Sequence, residues 1–417
     1  MAAGDAPTDD DRPRPSDERS RDSSWTRRGN VERRSGRRLS LRELPSDGFA
    51  NVQRPQPPIP RPRATAWFLR FLKIACVLNL LGVAAIVAAV LLIGERWYLT
   101  TAALYLPRWP WGLPSIPLTL AAAWAWRRGL WLTLPAAAMV FGPLCGLRMT
   151  LPSFVSYAGD RVVLATANIQ NGEPNLPAIL GEVERRGVYM LCCQEVDSEQ
   201  LELNETAARM GLDSVHYDSY FWTASRYPLR KVRVLESQAS YRDIAAVYEM
   251  RDLPNRAADG PPLFLVNVHL STARFGLKNL RPRTPLTGVG LDALAAHQAV
   301  RRTEVAELAA LLDELDADGD VIACGDFNMP TDSTAFAPLL SGRRSAFDDA
   351  GFGYGYTVPN DAGHGWPRGL CWLRVDQVLV SESLVVHSAA AGNAAGSDHR
   401  AMFVDLTSPV TRTGSDR

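Results

Sequence analysis

Sulfur chemistry is nearly absent from this sequence. It has six cysteines and no CxxC pair, which removes the usual spacing of a thiolate metal site or a dithiol redox centre. Cys76 and Cys145 lie in long apolar stretches, and Cys192, Cys193 and Cys324 lie in short apolar runs. They read as small core hydrophobes. Net charge is absent too, with 45 Lys and Arg against 45 Asp and Glu. The region after residue 160 is not notably basic. That argues against a protein that grips long nucleic acid by its phosphates. No internal repeat is visible. No apolar core lies near enough to the N-terminus to make a signal peptide.

The zero balance hides an asymmetry. Arg27 to Arg42 carries seven arginines and one acid, Glu32, and Arg54 to Lys73 carries five basic residues and no acid. Residues 1–63 are poor in apolar side chains and are expected to be a disordered cytoplasmic tail. Residues 64–150 read as a membrane region of about three helices, 74–94, 111–126 and 130–147. The first is an uncharged run of 21 residues, which spans roughly 30 Å, the thickness of a bilayer core. The second is short and its approach is broken by Pro107, Pro110, Pro114 and Pro117. One span plus a re-entrant or interfacial helix is the alternative. Tryptophans cluster near the ends of these stretches, where interfacial aromatics belong. If all three cross, the basic tail and Arg127-Arg128 share the cytoplasmic side, and everything after Leu147 lies outside the cytoplasm.

From Asp160 the pattern changes to short apolar runs ending in polar residues: RVVLATANI, VYMLCCQEV, SVHYDSYFW, DIAAVYEM, LFLVNVHL, VIACGDFN, RVDQVLV and HRAMFVDL. Leu176, Ile179, Leu180 and Val183 recur at helical spacing before Gly187, and a second helix is expected over His297 to Leu315. Many strands with few helices predict two packed sheets with helices outside. Residues 407–417 read as a disordered end.

Six polar clusters sit at strand ends: Asn168, Glu195, His269, Asp326 with Asn328, Asp376, and Asp398 with His399. Each has an ordinary structural reading on its own: Asn168 as a turn cap, His269 as a hydrogen-bonded core histidine, GDFN as a plain turn. Their order and spacing together are not explained that way. Oxygen donors without cysteine point to Mg²⁺, Mn²⁺ or Ca²⁺ rather than zinc. Carboxylates with two histidines also supply the base and the donors that phosphoester hydrolysis needs.

Taken together, TANIQNG, LCCQEV, TASRYPL, VNVHL, ACGDFNMP, RVDQVLV and GSDHRAM resemble the successive motifs of the endonuclease/exonuclease/phosphatase superfamily. The resemblance covers residues 160–406. It implies a four-layer α/β sandwich and divalent-metal hydrolysis of phosphoesters. It also implies roles. Glu195 is similar to the principal metal ligand, with Asn168 and Asp398 beside it. Asp326 and Asn328 match the pair that positions water and phosphate. His399 matches the histidine that contacts the scissile phosphate, oriented by Asp376, and His269 the acid or transition-state donor. Arg226 and Arg274 are candidates for binding substrate phosphate, with a solvated loop or structural ion pair as the other reading. FDDAGFGYGYTVP and the apolar N-terminal stretches resemble membrane-anchored bacterial members, among them the VanJ-type teicoplanin-resistance branch. The expected partners are a phospholipid bilayer and a lipid-linked or cell-envelope phosphoester. An anchored nuclease, or a non-catalytic binding or resistance protein on the same fold, is the alternative.

Overall fold

The computed structural model of the chain describes residues 65–150, 161–172, 176–251, 253, 260–273, 288–360, 369–393 and 397–407. The basic tail, Arg274 and the C-terminal end lie outside the described residues.

The chain from Ala66 to Leu92 forms α1, 27 residues without an acidic side chain, capped where the Thr65 hydroxyl accepts from the Phe68 amide. It is the one helix among the described residues long and apolar enough to cross a membrane. A 3₁₀ turn, Gly94–Arg96, leads into α2, Tyr98–Tyr105. The second and third apolar stretches form shorter helices than their hydropathy suggests. They are α3, Ser115–Ala125, and α4, Leu130–Met139, which continues into a π turn over Val140–Leu144. At about 1.5 Å per residue, α3 covers only about 16 Å. The prolines before it delay helix onset, because proline lacks the amide and restricts the residue ahead of it. Asn79 donates to Ser115 at the start of α3, while Phe68 meets Trp124 at its end. The helix therefore runs back along α1. The Arg127–Gly129 turn follows, with Lys73 over the Trp126 ring beside it.

After the two-residue strand β1, Arg148–Met149, two six-stranded sheets follow. In chain order the first four strands are β2, Val162–Asn168; β3, Met190–Gln194; β4, Ser214–Asp218; and β5, Phe221–Ser225. Then come β6, Arg230–Glu236; β7, Asp243–Met250; β8, Leu263–His269; β9, Asp320–Asp326; and β10, Arg343–Ser345. The last are β11, Phe352–Gly353; β12, Asp376–Ser381; β13, Val385–Ala391; and β14, Met402–Thr407. One sheet has the order β13-β14-β2-β3-β5-β4, the other β10-β12-β9-β8-β7-β6. Each has a single parallel pair at its centre, β2 with β3 and β8 with β9, flanked by antiparallel neighbours. The same pairing plan thus occurs twice, although the sequence carries no repeat.

Three apolar layers hold the sandwich together. Leu164, Met190, Cys192, Leu265, Cys324 and Val404 pack between the sheets. Helices α5, Leu176–Arg185, and α6, Gln200–Met210, cover the first sheet, with Ile179, Leu180, Val183 and Leu203 facing Trp222 and Phe403. Helix α7, Gly288–Asp318, covers the second through Val305, Leu308, Leu312 and Leu315. Val90, Leu104, Tyr105 and Leu144 from the N-terminal helical segment share that layer. This is the four-layer α/β sandwich the sequence motifs imply, with the N-terminal helical segments packed on one outer layer. Cys145, Cys192, Cys193 and Cys324 are free and buried in these layers, and Cys76 is free and buried on α1.

Gly325 is needed at the centre of the second sheet. Its φ is +147°, and an added Cβ would stand 1.9 Å from the Val268 carbonyl oxygen on the parallel neighbour. Gly187 also has positive φ, +61°, but opens onto free space. Gly325→Ala is expected to lower stability by about 3 kcal/mol or more, the upper end of overpacking costs. Gly187→Ala should cost only about 1–2 kcal/mol of left-handed strain. Thermal unfolding of the two variants checks this, and equal losses would contradict it.

Candidate active site

The two parallel pairs finish at the same end of the sandwich. Asn168 closes β2 and Glu195 follows β3 in the first sheet; Asp398 and His399 precede β14. His269 closes β8, Asp326 closes β9 and Asp376 opens β12 in the second, with His269 and Asp376 each paired in register with Asp326. Six of the sequence-predicted residues, Glu195, His269, Asp326, Asn328, Asp398 and His399, line one cleft of about 600 Å³. Asn168 and Asp376 sit directly behind it.

Asp326 is the hub. Its Oδ2 accepts from Asn168 Nδ2 at 3.1 Å and from Asn328 Nδ2 at 2.8 Å, and its Oδ1 accepts from the Asn328 amide at 2.8 Å. Both histidines approach the same Oδ2, His269 Nε2 at 3.8 Å and His399 Nε2 at 3.7 Å. Glu195 joins through Asn168 Nδ2 at 2.8 Å and His269 Nε2 at 3.4 Å.

The two histidines are shifted in opposite directions. Burial holds the His269 pKa well below its ordinary value, reinforced by Arg242 and His399. The Arg242 guanidinium lies 3.1 Å from His269 Nδ1. That nitrogen must then accept, so the single ring proton sits on Nε2, facing the cleft. His399 goes the other way. Burial opposes its charge, but Asp376, Asp326 and Asp398 outweigh burial and raise it well above the ordinary value. Its Nδ1 donates to Asp376 Oδ2 at 2.9 Å, leaving Nε2–H directed at Asp326. Burial pushes the Asp326 carboxyl up to about 7, with Asp376 adding to the shift and His399 opposing it. A carboxylate poised there suits proton transfer near neutral pH.

Backbone strain gathers at the same place. Gln170, Asn171, Glu195 and Asn328 all have φ between 48° and 54°, a conformation that costs a non-glycine residue on the order of 1 kcal/mol or more. At Glu195 and Asn328 it turns the chain sharply at a strand end and aims the side chain back over the sheet edge.

The donor set fits a divalent cation. Glu195 and Asp398 line the cleft with carboxylates, while Asn168 turns its Nδ2 to Glu195 and Asp326 and its Oδ1 accepts from the Gln170 amide. The ligand atoms of Glu195, His269 and Asp326 lie within 4.8 Å of one another, as do those of Asp326, Asp376 and His399. Asp376 Oδ1 is buried with no hydrogen-bond partner among the described residues. Such an oxygen-rich set suits a hard ion.

Arg226 does not reach this cleft. Its amide donates to Tyr189 O, and its guanidinium stacks on Tyr189 and donates to Met210 O. Tyr189 precedes β3, so Arg226 stands at the end of the sheet opposite Glu195. Sequence reasoning missed four contributors. Arg242 orients His269. Tyr220 accepts from Arg242 at 2.8 Å. Ser397 ties Asn168 O to the His399 amide. Gln170 accepts from the Asp398 amide. Only Ser397 carried a local signal, since serine two residues before a backbone amide favours such a turn.

Glu195→Gln keeps the side-chain shape and removes its charge. Calorimetric titration with Mn²⁺ is expected to show affinity weaker by about 1–3 kcal/mol, the value of one charged contact. Unchanged affinity would remove Glu195 from the ligand set.

The sequence model described as the endonuclease/exonuclease/phosphatase family matches residues 165–399, more than half of the chain. No curated protein matches the chain. Among solved structures, truncated TDP2 of Caenorhabditis elegans is similar at 20% identity and a TM-score of 0.45, over 59% of this chain and 98% of that one. The human Nocturnin catalytic domain with bound sulfate is similar at 15% identity and a TM-score of 0.42, over 60% and 97%. A family protein from Beutenbergia cavernae has 14% identity and a TM-score of 0.42, over 60% and 72%. By the family match and the motif residues gathered in one cleft, the chain belongs to the endonuclease/exonuclease/phosphatase family of metal-dependent phosphoester hydrolases.

Proposed function

We propose that this hydrolase is anchored in a bilayer by α1 with α3 and α4 beside it, and that it cleaves lipid-linked or cell-envelope phosphoesters outside the cytoplasm, using Mg²⁺ or another hard divalent ion. The observation that carries the substrate class is the nearness of the cleft to the anchor. Glu95, three residues beyond α1, accepts from Ser333 at 2.8 Å, on the loop that continues from Asp326 and Asn328. Such a site samples molecules at the membrane surface before those in bulk solution.

Charge and aromatic placement support the orientation. Arg70, Lys73, Arg127 and Arg128 belong to the end of the helices away from the hydrolase domain, as the positive-inside tendency requires of a cytoplasmic face. Exposed Trp67, Trp124 and Trp131 mark that end, and Trp97, Trp109 and Trp111 the end nearer the domain.

The ion, held by Glu195 with Asn168 and Asp398, would neutralise phosphate charge. Asp326 takes a proton from the attacking water. Asn328 holds Asp326 and the phosphate. His399, fixed by Asp376, donates to phosphate oxygen as charge builds, and His269 offers its Nε2 proton toward the leaving oxygen.

The test uses the full chain in phospholipid vesicles with Mg²⁺, offered lipid phosphates, lipid pyrophosphates, sphingomyelin and plasmid DNA. Turnover of a lipid substrate is expected to exceed DNA cleavage. Asp326→Asn and His399→Ala should each lower kcat by roughly 10²–10⁴. Faster cleavage of DNA would favour the anchored nuclease, and no turnover at all would favour a binding protein. Orientation is read separately by introducing Cys at Ser383 or at Arg128 in a Cys371→Ser background. An impermeant reagent should label the first in intact cells and the second only after lysis. The reverse pattern would rule out an extracytoplasmic site.

A further inference from the structure

Arg301 of α7 is 1% exposed, and the carboxylate that hydrogen-bonds it comes from the segment after α1, with the buried Glu304 of its own helix adding negative charge nearby. Its Nη1 donates to Glu95 Oε2 at 3.1 Å, and Glu95 itself is 3% exposed. Nη2 donates to the Tyr105 hydroxyl, which in turn donates to Glu95 Oε1 at 2.6 Å. The same guanidinium donates to two backbone carbonyls at the rim of the active-site cleft, through Nε to Ser271 O at 3.0 Å and through Nη2 to Asn328 O at 3.1 Å. One turn along α7, Glu304 accepts from the Ser271 amide at 2.8 Å and its hydroxyl at 2.6 Å.

A buried guanidinium stays charged, so it needs a compensating carboxylate and acceptors in fixed places. Here the carboxylate is fixed by the start of the segment after α1, and two of the acceptors belong to loops that carry site residues. Asn328 is held at positive φ, a conformation that persists only when its surroundings enforce it. Arg301 is the group that grips its carbonyl.

We infer that Arg301 is a positioning residue for the hydrolytic site, and that the segment Gly94–Tyr105 of the anchor, through Glu95 and Tyr105, is a working part of that site. The inference rests on the reading of Asp326 and Asn328 as hydrolytic residues. Its consequence is that catalysis is tied to the seating of the anchor on the domain. A fragment lacking the anchor removes Glu95 and Tyr105 from Arg301, opens the guanidinium to water and loosens the Asn328 turn.

The test compares full-length Tyr105→Phe and the paired variant Glu95→Met with Arg301→Met against wild type. Tyr105→Phe removes one hydroxyl and keeps the packing; the pair removes both charges together, so neither is left stranded. The expected result is a fall in kcat of about 3–10-fold for Tyr105→Phe and about 10–100-fold for the pair, with KM changed less than 2-fold. Hydrogen exchange should rise in a peptide covering Asp326 to Asp332 and stay unchanged in one covering β3. A folded variant set with wild-type kcat and wild-type exchange in that peptide would overturn the inference. If the pair fails to fold, Tyr105→Phe alone decides by the same two readouts. If wild type hydrolyses no phosphoester, the proposed function fails, and the exchange measurement still decides whether the anchor positions the turn.

Discussion

The candidate active site is divided between two sheets, so its geometry depends on how one sheet sits on the other. Apolar packing between sheets is permissive of small slides; hydrogen bonds are not. One polar clip crosses the interface directly beneath the site. Gln194 Nε2 donates to Asn267 Oδ1 at 2.6 Å, and Asn267 Nδ2 reaches Cys193 O at 3.1 Å and Thr223 Oγ1 at 3.0 Å. Both side chains are fully buried. A slide would leave amide groups unpaired in a dry core, at about 1–3 kcal/mol each. Gln194 precedes Glu195, and Asn267 stands two residues before His269. The clip therefore sets the distance between the carboxylate of one sheet and the histidine of the other.

Above that clip, the chemistry follows from unequal environments given to similar groups. Burial, with Arg242 beside it, holds the His269 pKa below its ordinary value, whereas Asp376 and the neighbouring carboxylates outweigh burial and raise that of His399. Both end with an N–H directed at the Asp326 carboxylate. The strained turns at Glu195 and Asn328 are tolerable because buried hydrogen bonds hold them. The strain is the means by which strand ends deliver side chains over the sheet edge instead of continuing along it. The N-terminal segment and the hydrolase domain share an apolar layer and a buried ion pair, so the seating of that segment and the geometry of the site are parts of one packing problem.

Most of the fold was legible because the central strands are buried on both faces and read as continuous apolar runs. β6 was not: its sequence, RKVRVLE, is charged and largely exposed at the sheet edge. The hairpin of β4 and β5 was hidden inside SVHYDSYFW, since its turn uses Ser219 at φ 62° rather than glycine. The site residues were legible because each lies at the end of an apolar run, where a parallel pair gathers side chains. Arg226 was misplaced for the same reason inverted, since it follows a strand that ends on the far side. Arg274 lies outside the described residues. The Glu95–Arg301 pair joins residues 206 positions apart, and no local pattern announces a contact of that span.

The central claim is that residues from both sheets build one divalent-metal site beside a poised Asp326. Anomalous diffraction from crystals of the full-length wild-type protein grown with Mn²⁺ tests it most directly. Manganese is expected in the cleft, coordinated by Glu195 with Asn168 and Asp398, and with His269 and His399 facing it across Asp326. Manganese bound elsewhere with this cleft empty, or coordination that leaves out Glu195, would contradict it.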